Sequence, residues 1–600
     1  MAASLLLQTN QPQSSQIART ASSRSFLIKN VHVFDGRTIV DADSVLVVDG
    51  KISELGNHLV APSSDSKVID GTGDTLLPGL IDSHTHTYRT ISLQQAILFG
   101  VTTEMGMEDP PKLIVPFRDA EAAGAHSESA DIFTAGWPAT APAGHGSGGP
   151  VPTISGPSEA QSFVDARIAQ GSNYIKIIDE DGSAYGIPFA NVSNATMAAV
   201  VQAAHRRGKL AIAHIGNGPE AVDAIEAGVD GLAHLFIESE PRPDFGSLAA
   251  SHHVFVVSTL TVLQSLYMPS GGAIANDPDI SPFLTPDALR NLQGQFASLM
   301  FPPHRFRMKY ATDAEKQLLR SGVPILAGTD APNSGTWYGV SMHRELELLV
   351  DGGMSPQEAL ASATSIPAGI FHLSDRGVIA PGMRADLLLV KGDPLKHIQD
   401  TRHIIHIWKA GIEVNRVATF QRLTKDYEES AQYLTPKGSE SGQVSDFKQG
   451  SPRAVFGAGW QTFNDSRYHG KSTARFEIVR GGVNGSKYSL SVAETTAHGS
   501  PLPFAGVSFM PSASPWDPAN LSAHRELCFF TKGGGTLTVW MSTQSQPPRM
   551  VRIRLTSQWK RVVLPFSEFH TDGSDVTRFN FAHTGSVGPF SFQLDDVTLR

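Results

Sequence analysis

The chain has 600 residues, a formal charge of −10, 40% hydrophobic and 18% charged residues, and a single cysteine, Cys528. That length exceeds one ordinary domain and suits two or three; the mild charge gives no reason to expect a nucleic-acid or membrane partner, and no apolar run approaches the ~20 residues that cross a bilayer. One cysteine excludes an intramolecular disulfide framework and a cysteine-based zinc site, in keeping with a reducing compartment.

Residues 1–24 are rich in Ser and Gln, carry Arg19 and Arg24, and precede the first acid, Asp35. They are expected to form a disordered tail, with an organelle transit peptide as the alternative; the expected location is accordingly the cytoplasm, with the mitochondrion as the alternative. From 25 to 77, "SFLIKNVHVFDG", "SVLVVDGKISELG" and "KVIDGTGDTLLPG" read as short β-strands closed by Asp-Gly or Gly turns.

After Pro78 the pattern changes. Apolar strands ("LIDSHTH", "TTEMGM", "DIFTAG", "YIKIID", "LAIAHI", "GLAHLF", "FVVSTLT", "PILAGTDA") alternate with amphipathic segments mostly closed by glycine. Eight buried parallel strands with intervening helices over 78–376 predict an α/β fold, a (β/α)8 TIM barrel. The segment from Val262 to about Tyr310, rich in Pro, Phe, Leu and Met, is long enough for a lid, a substrate wall or a plain insertion. Residues 377–417 return to strand character and are expected to complete, with 25–77, a small composite β-sandwich. The polar stretch 435–452 has linker composition, and 453–600 alternates short strands with Gly, Ser and Asp turns, which predicts an all-β sandwich or jelly roll.

Barrel enzymes place reactive groups at the C-terminal ends of their strands. Those ends carry His84 and His86 (strand 1), Glu104 (strand 2), Lys176 (strand 4), His214 (strand 5), His234 (strand 6) and Asp330 (strand 8). His84 and His86, at i and i+2, face the same side of a strand and suit a metal ion, although a solvated turn with two incidental histidines reads equally well. A lone strand histidine is more often a hydrogen-bonded core residue, and Asp330 could merely cap a helix. Lys176 inside "YIKII" is harder to dismiss, because an unpaired buried ammonium is costly. Joint occurrence on the strands of one barrel raises the set above its members.

These residues, with "PGLIDSHTH", "GVTT", "GTDAP" and the closing "GVIAPGMRADLLLV", make the region from Ser25 to Val417 similar to the amidohydrolase superfamily. "TAPAGHGSGG" resembles the Gly-His-Gly loop of its imidazolonepropionase-, prolidase- and ochratoxinase-like branch. The resemblance implies two divalent ions, zinc by default: His84, His86 and Asp330 would bind one, His214 and His234 the second, with Lys176 as a bridging N6-carboxylysine. It implies a metal-bridging hydroxide, Asp330 as proton acceptor and donor, and His145 on the substrate carbonyl or oxyanion. Glu104 and Tyr338 become candidate substrate-binding residues, with His343 a weaker one; Asp82 reads as structural. The implied reaction is cleavage of a C–N bond (amide, cyclic amide or acyl-dipeptide-like) in a small-molecule substrate, with a homo-oligomer left open. A lactone or ester hydrolase, or a biosynthetic cyclase, would use the same site. Two departures bear on the substrate: "DEDGSAYG" (179–186) replaces a Gly-rich segment, and Glu104 stands where several relatives are apolar; both would line the pocket.

The final region, through "AGWQTFNDSRYHGKSTARFEI" and "FQLDDVTLR", resembles the jelly rolls of complex I intermediate-associated protein domains and some carbohydrate-binding modules. Trp460, Trp516 and Trp540 would there either stack on sugar rings or pack in the core. A non-catalytic binding protein acting through this region is the reading from another class.

Overall fold

The computed structural model describes residues 24–600 except 62, 64, 65, 125–127, 148–150, 187, 267, 269–271, 294–305, 469, 484, 501, 502, 514–517 and 544–548. The tail expected over 1–24 therefore lies outside the described residues, save Arg24, whose guanidinium donates to the Ala410 carbonyl oxygen.

Two sheets form from both flanks of the barrel. Phe26–Lys29 pairs with Ser44–Val48 and Lys67–Asp70, while Leu387–Lys391 pairs antiparallel with Asp74–Pro78, Leu388 opposite Leu77. Alternating side chains point inward, and Phe26 stacks on Trp408 at 5.0 Å in their shared core.

The eight central strands are Leu80–Thr85, Val101–Gly106, Asp131–Thr134, Ile175–Asp179, Ala211–Ile215, Gly231–Ala233, Phe255–Val257 and Ile325–Leu326. All run parallel, the first three in one arc and the last five in another. Backbone bonds join the arcs on both sides. Ser83 donates to Ala327 O (3.0 Å), His86 to Ala331 O (2.7 Å) and Ala139 to Lys176 O (2.8 Å). Helices separate successive strands; Ser193 caps Asn194–Arg206 by accepting from Thr196 N, and Asn217 caps Gly218–Glu226 by accepting from Glu220 N.

At the start of the third strand, Asp131 joins the barrel to the flanking sheets. Its carboxylate meets Lys409 at 2.7 Å, Arg384 at 2.6 Å, and Arg376; Lys409 also donates to Glu121 and the Ser129 carbonyl. Asp131, Lys409 and Arg376 are all buried.

Between strands 7 and 8 the expected long segment holds helices Leu260–Ser265, Gly272–Ala275 and Pro286–Leu292. Ile280, Leu284 and Leu292 pack with Leu98, Phe99 and Leu423. Leu423 belongs to a helix, Arg416–Tyr433, in a stretch to which the sequence pattern assigns no element.

The stretch 435–452, expected as a linker, is part of the last domain. Gln443–Ser445 pairs with Gly588–Leu599, and Val444 and Phe447 are buried in that domain's core. A single apolar side chain between two polar ones is ordinary strand alternation, and over so few residues composition hides it. The last domain has two antiparallel sheets, one ordered 473–480, 488–496, 588–599, 526–533, 560–565, the other 459–464, 504–510, 576–584, 536–543, 550–554. Trp460 and Trp540 are each only 8% exposed and pack on Phe509 and Phe463, respectively, so neither presents a face for sugar stacking; Trp516 lies outside the described residues.

Candidate metal centre and active-site cavity

Six residues expected at the strand ends converge. His86 Nε2 lies 2.7 Å from Asp330 Oδ1, and His84 Nε2 lies 3.3 Å from the same oxygen. The ring of His84 is 4.7 Å from that of His234, which is 4.5 Å from that of His214. Lys176, on the neighbouring strand, has a buried Nζ with no hydrogen-bond partner among the described residues. His84 Nδ1 and His214 Nε2 are likewise buried without one.

The electrostatics suit ligand chemistry. Burial and the Lys176 charge lower the pKa of His214 to about 3, and burial holds His84 and His234 well below the ordinary imidazole value. All three are therefore neutral at physiological pH, the form that binds metal. Burial opposes a charge on His86, but the hydrogen bond to Asp330 and its carboxylate charge raise that pKa overall. Burial lowers Lys176 to about 7.

Outer contacts orient the rings. Thr259 Oγ1 sits 2.7 Å from His234 Nδ1, leaving Nε2 to face the centre; Glu180 Oε2 approaches His214 Nε2 to 3.5 Å without making a hydrogen bond. Thr259 itself has φ 48°, a costly backbone state for a β-branched residue. Glu345 stabilises it, accepting from Leu260 N (2.8 Å), Thr261 N (2.8 Å), Thr261 Oγ1 (2.7 Å) and Ser258 Oγ (2.5 Å). Glu345 is thus a positioning residue for His234. Glu345→Gln is expected to weaken metal retention and lower turnover by ~10–100-fold, the usual scale for an outer-shell partner; metal content measured against chelator concentration checks it, and unchanged retention would assign Glu345 to packing alone. Asp82 plays a similar part on the other side, accepting from His84 N (3.1 Å), Thr329 N (3.0 Å) and Thr329 Oγ1 (2.6 Å), which ties strand 1 to the turn carrying Asp330.

Above the centre opens a cavity of about 910 Å³. His145 reaches it from the loop after strand 3 and stacks on His214 (5.0 Å, 20°); burial, then the charge of His214, lowers its pKa to about 4. Tyr338 lines the cavity and donates its hydroxyl to the His86 carbonyl oxygen at 2.6 Å. Of the "DEDGSAYG" segment, Ala184 and Tyr185 reach the cavity, whereas Asp179 is buried against Asn191.

Two candidates are not on the cavity wall. Glu104 is fully buried and accepts from Thr85 Oγ1 (3.3 Å) and Thr87 Oγ1 (3.2 Å); it does not line the cavity. Burial raises its pKa well above the ordinary carboxylate value. Glu104→Gln, near-isosteric, is expected to leave KM unchanged; a raised KM in steady-state kinetics would restore it to substrate binding. His343 is buried between Thr401 Oγ1 and the Phe99 carbonyl oxygen, 3.0 Å from each. Near strand 2 the acid that does reach the cavity is Glu108, two residues past the strand's end, whose pKa burial raises against the pull of His86 and Lys176. Extending the strand-end rule into the first loop residues would have found it. Tyr88, stacked on His86 at 6.1 Å, also lines the cavity.

Comparison with known proteins gives a consistent answer. The model of the amidohydrolase family matches residues 75–417, more than half of the chain. Ochratoxinase of Aspergillus niger is 26% identical over 278 residues, 45% of this chain and 52% of that protein. Imidazolonepropionase of Cutibacterium acnes is 35% identical over 113 residues, 19% of this chain and 28% of that one. The chain thus spans about half or less of the length of these curated relatives. The crystal structure of a putative prolidase from Bifidobacterium longum superposes with a TM-score of 0.54 at 24% identity, covering 67% of this chain and 99% of that one, a likeness of fold. With histidines and an aspartate clustered at the ends of its parallel strands and the family's pattern running from Thr75 to Val417, the chain belongs to the amidohydrolase family.

Proposed function

We propose that the chain is a metal-dependent hydrolase that cleaves the C–N bond of an amide or cyclic amide in a small molecule, on a closed (β/α)8 barrel followed by a jelly-roll domain. The observation that carries this is the set of buried, partnerless groups, Lys176 Nζ, His84 Nδ1 and His214 Nε2, gathered around His234 and Asp330. Left unpaired, each such group costs ~1–3 kcal/mol, which no packing role would justify. Their chemistry fits divalent ions: His84, His86 and Asp330 would hold one, His214 and His234 another. Carboxylation by carbon dioxide would turn the Lys176 amine into an anionic carbamate between the two, removing the cost of a buried ammonium.

Bound ions supply a water ionised near neutral pH and polarise the carbonyl. The chain's own residues do the rest. Asp330, whose Oδ1 already lies beside both strand-1 histidines, is placed to take the proton of the attacking water and return it to the leaving nitrogen. His145, neutral and facing the cavity, donates to the carbonyl oxygen as charge develops there. Tyr338 fixes the backbone of His86. The names of the relatives, ochratoxinase and imidazolonepropionase, support an enzymatic reading.

The test is a metal analysis of purified protein alongside turnover on matched amide and lactone panels. Bound divalent metal with amide cleavage is expected. Lactone cleavage alone would replace the reading with the ester alternative, and metal-free protein with activity indifferent to Asp330→Asn would overturn it.

A further inference from the structure

The active-site cavity is not made by the barrel alone. Its inner part is walled by barrel side chains, among them Ile178, Ile237, Val262, Leu263 and Trp337. Its outer part is walled by the last domain, through Pro518, Asn520 and Ser522 on one loop and Asp572, Ser574 and Asp575 on another. At about 910 Å³ the combined space is near the upper end of ligand cavities, which run ~300–1,000 Å³.

The outer wall is anchored. Leu521 N donates to Gly573 O (2.7 Å), and Ala519 and Val576 exchange two backbone bonds of 2.8 and 3.0 Å, so the two loops support each other. Asn520 N donates to Leu434 O at 2.8 Å, joining them to the end of the connecting helix. From the barrel side, Arg290 donates to the Tyr427 hydroxyl at 2.6 Å, its guanidinium lies 5.6 Å from that ring, and its charge interacts with those of Asp575 and Asp572. Ala519 and Leu521 are buried beneath the loops. A wall held by backbone bonds can discriminate between ligands at small reorganisation cost.

We propose that the last domain is a specificity element of the active site: it contacts the distal part of an elongated amide whose apolar body runs along the barrel wall from the histidine cluster outward. Two arginines line the cavity, Arg89 and Arg290; Arg290 interacts with the charges of Asp575 and Asp572, and Asp287 adds a third carboxyl group to the lining beside it, so the distal end of the preferred substrate is neutral or cationic. This inference rests on the hydrolase reading above.

The test uses full-length protein and the acetyl, hexanoyl and dodecanoyl anilides, with ω-amino and ω-carboxy versions of the longest. For wild type, kcat/KM is expected to climb along the series, with the ω-carboxy amide below the ω-amino one. Ser574→Trp, which puts bulk into the outer space, is expected to cut the dodecanoyl-to-acetyl ratio by about tenfold or more. Asp572→Asn, a near-isosteric second variant, is expected to narrow the ω-amino preference. Ratios unchanged in both variants, with native circular dichroism, would overturn the inference. Equilibrium binding of the same amides, measured by calorimetry, separates this from failure of the hydrolase reading. Chain-length-dependent binding lost in Ser574→Trp upholds the wall even if no amide is cleaved; length-independent binding to wild type refutes it.

Discussion

Lys176→Met is expected to abolish turnover while making the metal-free protein more stable. The two effects have one origin. Lys176 is 3% exposed, and its Nζ has no hydrogen-bond partner among the described residues. An unsatisfied buried polar group costs ~1–3 kcal/mol, and methionine fills similar volume without that cost. The variant should therefore melt a few degrees higher, since ~1 kcal/mol moves the midpoint by ~2–4 °C in domains of this size class. Activity should fall by on the order of 10³-fold or more, the scale of losing a preorganised electrostatic group at a reacting centre. Thermal melts of chelator-treated protein and turnover with saturating metal are the paired measurements. A less stable variant that retains activity would make Lys176 an ordinary core residue.

The opposite effect, a loss of stability, is expected from a substitution at the other end of the barrel. Burial alone would raise the pKa of Asp131, but Lys409, Arg384 and Arg376 outweigh it and hold the carboxyl far below its usual range. Asp131→Asn would leave three cations around a neutral amide, two of them, Lys409 and Arg376, buried; breaking a buried pair typically costs ~3–5 kcal/mol. The pH dependence follows from the sign of the shift. A carboxyl whose folded pKa is depressed stabilises the fold fully above its unfolded pKa, ~3.9, and loses that contribution progressively as the pH falls below it. Wild type should thus lose stability steeply below about pH 4, and the Asn variant, already destabilised, should show a shallower slope there. Chemical denaturation across that range measures both. Equal slopes would mean that Asp131 contributes no protonation-linked stability.

Local rules carry far in this chain because strands and their ends are short-range features. Period-two and apolar runs locate the eight parallel strands; the ends of those strands bring His84, His86, His214, His234 and Asp330 together, with Lys176, the second residue of Ile175–Asp179, deeper in the barrel beside them. Whether a given acid faces the cavity is another matter. Glu104 and Glu108 lie four residues apart, yet the first is closed in by Thr85 and Thr87 of the neighbouring chain segment and the second lines the site. Glu345 gains its role from a turn 84–87 residues away in sequence. The stretch 435–452 belongs to a domain because Gln443 meets Thr598, and Trp460 turns inward because Phe509 and Phe581 surround it. The outer cavity wall needs Asn520 beside Leu434 and Arg290 near Asp575. Composition and spacing describe what a segment can do along its own axis; burial, pairing and charge environment come from partners elsewhere in the chain, and those are settled when the chain packs.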